Sequence, residues 1–247
     1  MAVHRLACVF AHPDDETFSL GGTLTKLAAE GGRSDLFCAT DGDAGKSSGI
    51  PVASRAELGA LRRSELAAAA RILGIASLST PGHGDGMLRE VDPDRLVGEI
   101  VLFLRQRRPD VVVTFGPEGA PTGHRDHRAI SRAATAAFFL ADLPTEYAEQ
   151  LVEVKPHRAA RLYYCAWEPP GANGDLRLLS VPFTTRVDVS AYRETKRQAF
   201  YAHASQRQHE ARFEQLALTE NEHFALAAGI PQPRPVTADL FEGLSGS

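Results

Sequence analysis

An α/β fold, a mostly parallel sheet covered by helices, is what this 247-residue sequence predicts. Strand-like and helix-like segments alternate over roughly the first two-thirds of the chain. One candidate strand, "DVVVTF", is a continuous apolar run of the kind buried on both faces of a sheet. Candidate helices end at glycines, and the loops between elements collect Gly, Asp and Ser.

The first strand is expected over residues 5–11 and a helix over 17–30, stopped by Gly31 and Gly32. A second strand at 34–40 leads into the loop "DGDAGKSSGIP". Residues 53–73 carry Leu58, Leu61, Ala69 and Leu73 at helical spacing and stop at Gly74. A short strand at 77–80 precedes "PGHGDGM"; "DPD" then starts a helix over 92–107, with Pro93 suited to its first turn. "DVVVTF" is followed by the loop "GPEGAPTGHRDH" and an alanine-rich helix over 127–140. From about residue 158 the pattern changes. "RLYYCAW" and "LLSVPFTTRVDVS" read as neighbouring strands either side of the turn-rich "EPPGANGD", and helices are expected over 191–204 and 208–228. The expected organisation is one domain over 1–247: a core to about 157, a C-terminal elaboration over 158–230, and a Pro-rich tail.

Composition narrows the function classes. An apolar content of 43% in a chain this long supplies a core without disulfides or a structural metal. A net charge of −4 argues against nucleic acid or an anionic membrane as partner. No stretch has the length of a membrane span or the order of a secretion signal. Cys8, Cys38 and Cys165 fall in candidate strands with no CxxC spacing, as buried reduced thiols of a cytoplasmic protein would.

The chemistry gathers in two places. "HPDDE" follows the first strand and "GHRDH" follows "DVVVTF", and ligand sites of doubly wound sheets lie beyond the carboxyl ends of their strands. The loops beginning at Asp41 and Pro81 should open on the same edge. Histidines and carboxylates from separate loops then form a plausible divalent-metal set. Adjacent carboxylates repel, and a cation relieves them: one aspartate ligates it while its neighbour faces the water as a base. Acids at a helix start are also explained by capping, but that accounts for neither His12 nor the second His/Asp cluster.

"AHPDDE" with "GHRDH" resembles the LmbE-like, PIG-L type zinc deacetylases. "ATDGDAG", "RSELAAAARILGI" and the late stretch "TKRQAFYAHASQ" extend the resemblance over most of the chain. It implies a Rossmann-like three-layer fold and hydrolysis of an N-acetyl group on a small N-acetylglucosamine-type substrate. By the same resemblance His12, Asp15 and His127 hold Zn2+ (or another divalent ion such as Fe2+), and Asp14 is the general base. His124 polarises the acyl oxygen or protonates the leaving amine, and Asp126 orients a neighbouring histidine. Arg62, rather than Arg63, is expected to face the substrate, with Asp43 and His203 as further substrate contacts. Glu16 reads as a helix-start acid. His83 and Asp85 fit a plain turn, and Glu118 sits on a glycine-rich rim. Trimers or hexamers are implied by resemblance alone. Two alternatives remain at this point: a zinc amidase for a bulkier amide, and a metal-holding module without turnover. Nucleotide binding is disfavoured, because no GxGxxG follows the first strand.

Overall fold

In the computed structural model, which describes residues 3–167 and 180–244, the strands are β1 (Arg5–Phe10), β2 (Arg33–Cys38), β3 (Ser77–Ser79), β4 (Val111–Phe115), β5 (Arg161–Ala166), β6 (Thr185–Asp188) and β7 (Asn221–Gly229). The helices are α1 (Asp15–Ala29), α2 (Arg55–Leu73), α3 (Pro93–Arg107), α4 (Arg125–Leu140), α5 (Arg193–Ala202) and α6 (Glu210–Leu216). One sheet runs β3-β2-β1-β4-β5-β7-β6. Its first five strands are parallel; β7 runs antiparallel to both β5 and β6. The α/β class and the mostly parallel sheet are as the sequence predicts.

The strand order explains where a site can form. The chain winds outward from β1 through β2 to β3, then returns to place β4 on the other side of β1. Right-handed crossovers therefore put α1 and α2 on one face and send α3 to the other. In accord, α1, α2 and α5 pack together, while α3 packs with α4. The winding reverses between β1 and β4, so the loops leaving these two strands splay apart and leave a crevice. Those loops carry "HPDDE" and "GHRDH". Around them, β1 and β4 are buried along nearly their whole length and α1 covers them with Leu20, Leu24 and Leu27.

Two expectations for the C-terminal part are corrected. Residues 221–228 were expected as helix, and they form β7; only Glu210–Leu216 of that stretch is α-helical. "FALAA" is helix-favouring by composition, but β7 supplies the strand that pairs with β6 along its length and completes the free side of β5. Pairing outweighs propensity here. For the same reason β5 and β6 are not neighbours, since β7 lies between them. The turn "EPPGANGD" lies outside the described residues.

The C-terminal elaboration also repairs a break in α1. At Leu20 the backbone leaves helical geometry, so the N–H groups of Gly22 and Thr23 lose their helical acceptors. Glu222 of β7 accepts from both, at 2.9 and 2.7 Å. Lys196 of α5 neutralises that carboxylate at 2.6 Å and donates to the Phe18 carbonyl at 3.2 Å. A Cβ on Gly22 would stand 2.6 Å from Val189, so the bend needs glycine there. Lys196 and Glu222 are almost wholly buried, and removing one partner leaves an uncompensated charge. Lys196→Met is expected to cost about 3–5 kcal/mol of unfolding free energy in urea titration. By contrast, Arg197→Ala, which breaks the exposed pair with Glu194, should stay within about 0.5 kcal/mol; equal losses would refute the role given to the buried pair.

Candidate metal centre and active site

β1 ends at Phe10, and the next six residues place His12, Asp14 and Asp15 on the crevice and Glu16 behind it. Asp15 is fixed by backbone: its Oδ2 accepts from the N–H groups of His12 (2.8 Å) and Ala11 (3.2 Å). Its two oxygens then face two rings, Oδ2 lying 3.4 Å from His12 Nδ1 and Oδ1 lying 3.3 Å from His127 Nε2. The opposite nitrogen of each ring is already engaged. His12 Nε2 lies 3.1 Å from Asp85 and 3.3 Å from Asp126, and His127 Nδ1 lies 3.4 Å from Thr122 Oγ1. His127 is further held by stacking on Phe115, with ring centroids 3.9 Å apart. Two imidazole nitrogens thus face one carboxylate with their outer partners in place, residue types that can hold a divalent metal. His12, His124 and His127 together also bring nitrogens within 4.8 Å of one another.

The electrostatics point the same way. Burial opposes a charge on His12, yet Asp126, Asp15 and Asp85 outweigh it and hold the imidazole well above its ordinary value. Burial likewise opposes ionisation of Asp15, but His127 and His12 keep its carboxyl well below the usual range. The carboxylates around His12 favour positive charge there.

Asp14 faces another way. It is the residue before α1, but its side chain makes no capping hydrogen bond, and its backbone sits at φ 109°. Few L-residues adopt that region, and it costs about 1–3 kcal/mol. Glu16 stabilises it by accepting from the Asp14 N–H at 3.0 Å. So turned, the Asp14 carboxylate meets Arg62 Nη2 at 3.3 Å. Burial pushes Asp14 up to about 6, with Arg62 pulling down and Asp15 pushing up. Arg62 also donates to the carbonyls of Gly42 and Pro13, tying α2 to both loops. Arg63 instead pairs with Asp41 near the surface.

His124 is the residue before α4, and its Nδ1 accepts from the Asp126 N–H at 3.2 Å. That hydrogen bond assigns the proton of the neutral ring to Nε2. Burial and the neighbouring His12 and His127 hold its pKa below the ordinary histidine value. Asp126 is wholly buried; it accepts from Gly86 (2.7 Å) and Leu88 (3.2 Å), so it joins the 84–88 loop to α4 and to His12.

A cavity of about 230 Å³ opens here, lined by His12, Asp14, Asp15, Arg62, His124 and His127. Two of the residues expected to touch substrate do not line it. Asp43 accepts from the Asp85 N–H and pairs with Arg55, holding one loop against another. His203 is fully buried behind the wall, 2.8 Å from Glu16. In the same stretch Ser205 caps Glu65 and Gln206 donates to the Lys46 carbonyl, so the late motif braces the site from behind. His83 bonds Glu99 away from the cavity. Glu118 folds its carboxylate over Gly116 and is outside the lining as well. Asp85 does line it, and its position beyond β3 on the active edge was the available signal. Nothing in the sequence marks Trp167, His209 and Arg212, which complete the wall.

Residues 7–138 match the PIG-L family, described as GlcNAc-PI de-N-acetylase. The chain belongs to this family, which groups metal-dependent deacetylases. It is 32% identical to the 1D-myo-inositol 2-acetamido-2-deoxy-α-D-glucopyranoside deacetylase of Rhodococcus jostii, with 99% of each chain covered. Among solved structures it resembles the N,N'-diacetylchitobiose deacetylase of Pyrococcus horikoshii (TM-score 0.74, 23% identity, covering 90% of this chain and 83% of that one). It also resembles the 4-carboxy-2-hydroxymuconate hydratase of Pseudomonas putida (TM-score 0.73, 20% identity, covering 94% and 99%). Among the described residues no helix is long and apolar enough to cross a membrane.

Glu16 raises the His203 pKa above its ordinary value against the opposing effect of burial. The folded state therefore binds that proton more tightly than the unfolded chain. The pair's contribution is full below the free-histidine value of about 6.5 and is lost as pH rises through the raised folded value. Unfolding free energies of wild type and His203→Gln, measured from about pH 6 to 9, should differ most at the acid end and converge upward. A gap independent of pH would sink this account.

Proposed function

We propose that this protein removes the N-acetyl group from a small N-acetylglucosamine-type conjugate, releasing acetate and the free amine. His12, Asp15 and His127 would hold a divalent cation, zinc by preference for this donor set. Such an ion, when bound, polarises the acyl oxygen and lowers the pKa of water. The observation that carries the reading is the divergence of two adjacent aspartates. Asp15 lies between two ligand rings, while Asp14 turns into the same cavity with no helix-capping duty.

Asp14 is the group positioned to take a proton from the attacking water. The water oxygen adds to the acyl carbon, and the C–N bond breaks only if the nitrogen gains a proton, because an amide anion is a very poor leaving group. Asp14 can return to the nitrogen the proton it took from the water, while the His124 Nε2–H, fixed by the Nδ1 bond to the Asp126 N–H, donates a hydrogen bond to the acyl oxygen. Arg62 keeps Asp14 aimed and, with Asp85, offers charged hydrogen-bond partners to sugar hydroxyls. The three cysteines are buried and unpaired, which suits the reducing cytoplasm.

Asp14→Asn should retain stoichiometric metal and lower kcat by about 10²–10⁴-fold in an acetate-release assay on N-acetylglucosaminides. Undiminished turnover would refute the assigned base, and metal loss would show that Asp14 is a ligand instead. Asp126→Asn, measured by chelator competition, should weaken metal affinity about 10–100-fold through the His12 ring.

A further inference from the structure

Of the carboxylates that line the cavity, only Asp85 stands on a loop away from any helix or strand. Asp15 belongs to α1 and Asp14 directly precedes it. The loop of Asp85 follows β3, three residues long at the edge of the sheet, and turns at Gly82 and Gly86 with φ of 77° and 81°. Glycine at such positions costs no strain and supplies no stiffness. The direction of the Asp85 side chain therefore has to be imposed by its neighbours.

Two residues between β2 and the first turn of α2 impose it. Asp43 Oδ1 accepts from the Asp85 N–H at 2.9 Å, and Arg55 Nη2 donates to the Asp85 carbonyl at 3.4 Å. Arg55 Nε also donates to Asp43 Oδ2 at 2.8 Å, so the two side chains close on the Asp85 backbone as one clasp. The Ala44 N–H holds Asp85 Oδ2 at 3.2 Å, which leaves Oδ1 3.1 Å from His12 Nε2. Burial pushes the Asp43 carboxyl up, but Arg55 and the Asp85 N–H outweigh it and hold it below its ordinary value. Gly59 on α2 lets Asp43 pack close; a Cβ there would stand 3.3 Å from the Asp43 Cβ. On the far side Asp126 accepts from Gly86 and Leu88, so loss of the clasp frees Asp85 without releasing the rest of the loop.

We infer that Asp43 and Arg55 are positioning residues for substrate binding: neither lines the cavity, and together they aim the Asp85 carboxylate at the hydroxyls of the bound sugar. A carboxylate already held in place loses little freedom when the sugar arrives, whereas an unclasped one must be ordered at binding. The clasp lies further out than the group it serves. The side chains of Arg55 and Asp43 are 59% and 22% exposed, against 10% for Asp85. Asp43 thus acts on the substrate at one remove, through the Asp85 N–H. The inference rests on the deacetylase reading and adds how the sugar end of the substrate is gripped.

Measuring kcat and KM on an N-acetylglucosaminide separates this role from a merely structural one. Asp43→Ala should raise KM about 10-fold, as loss of a charged hydrogen-bond acceptor does, with a smaller effect on kcat. Arg55→Gln, a change on an exposed side chain that folding tolerates, should raise KM about 3-fold. In an Asp85→Ala background neither substitution should raise KM further, because the clasp reaches the substrate only through Asp85. Calorimetric binding of the free-amine product should weaken in the same order, independent of turnover. If both substitutions leave KM and product affinity unchanged, or act equally with and without the Asp85 carboxylate, the inference fails and deacetylation stands. The same holds if Asp85→Ala is itself without effect. No acetate from wild type on any N-acetylglucosaminide would overturn the deacetylase reading and the inference with it.

Discussion

Three consecutive carboxylates, Asp14, Asp15 and Glu16, sit at the end of a buried parallel strand, and each needs its own positive partner. Glu16 is wholly buried and Asp15 nearly so. Left unpaired, such groups would cost several kcal/mol apiece. The fold answers with three different elements: Arg62 from α2 for Asp14, His12 and His127 for Asp15, and His203 after α5 for Glu16. That requirement brings α2, the start of α4 and the C-terminal elaboration to one place. It also explains why Lys196 and His203 of the late stretch lie behind the cavity wall, while Gln206 reaches the lining. Lys196 and His203 satisfy charges that the helix start and its bend create.

Much of this was legible in the sequence, for physical reasons. Alternating elements and long apolar strands constrain topology strongly, and the site of such a sheet follows from where winding reverses. "HPDDE" and "GHRDH" could be placed after strands before any coordinates, and Arg62 could be chosen over Arg63 by its step to Glu65. What the sequence hid depended on partners far along the chain. β7 reads as helix until β5 and β6 present their free edges. His203 and Asp43 look exposed to substrate until Glu16 and the Asp85 N–H are seen to hold them. Asp85 is a turn residue in sequence and a partner of His12 in space.

Fold alone leaves the reaction open, since a hydratase shares this architecture about as closely as a deacetylase does. The proposed chemistry depends on local backbone geometry. In an ordinary helix start, neighbouring acids point to nearby faces and compete for the same N–H groups. Here the left-handed backbone at Asp14 sends its carboxylate away from the helix while Asp15 remains bound to the strand end. The strain is held because Glu16 binds the Asp14 N–H, and Glu16 is in turn held by His203. Two aspartates one residue apart can therefore differ in ionisation, one pushed up and the other pulled down. The proposed base and ligand, adjacent and chemically identical side chains, require this separation, and the C-terminal elaboration sustains it.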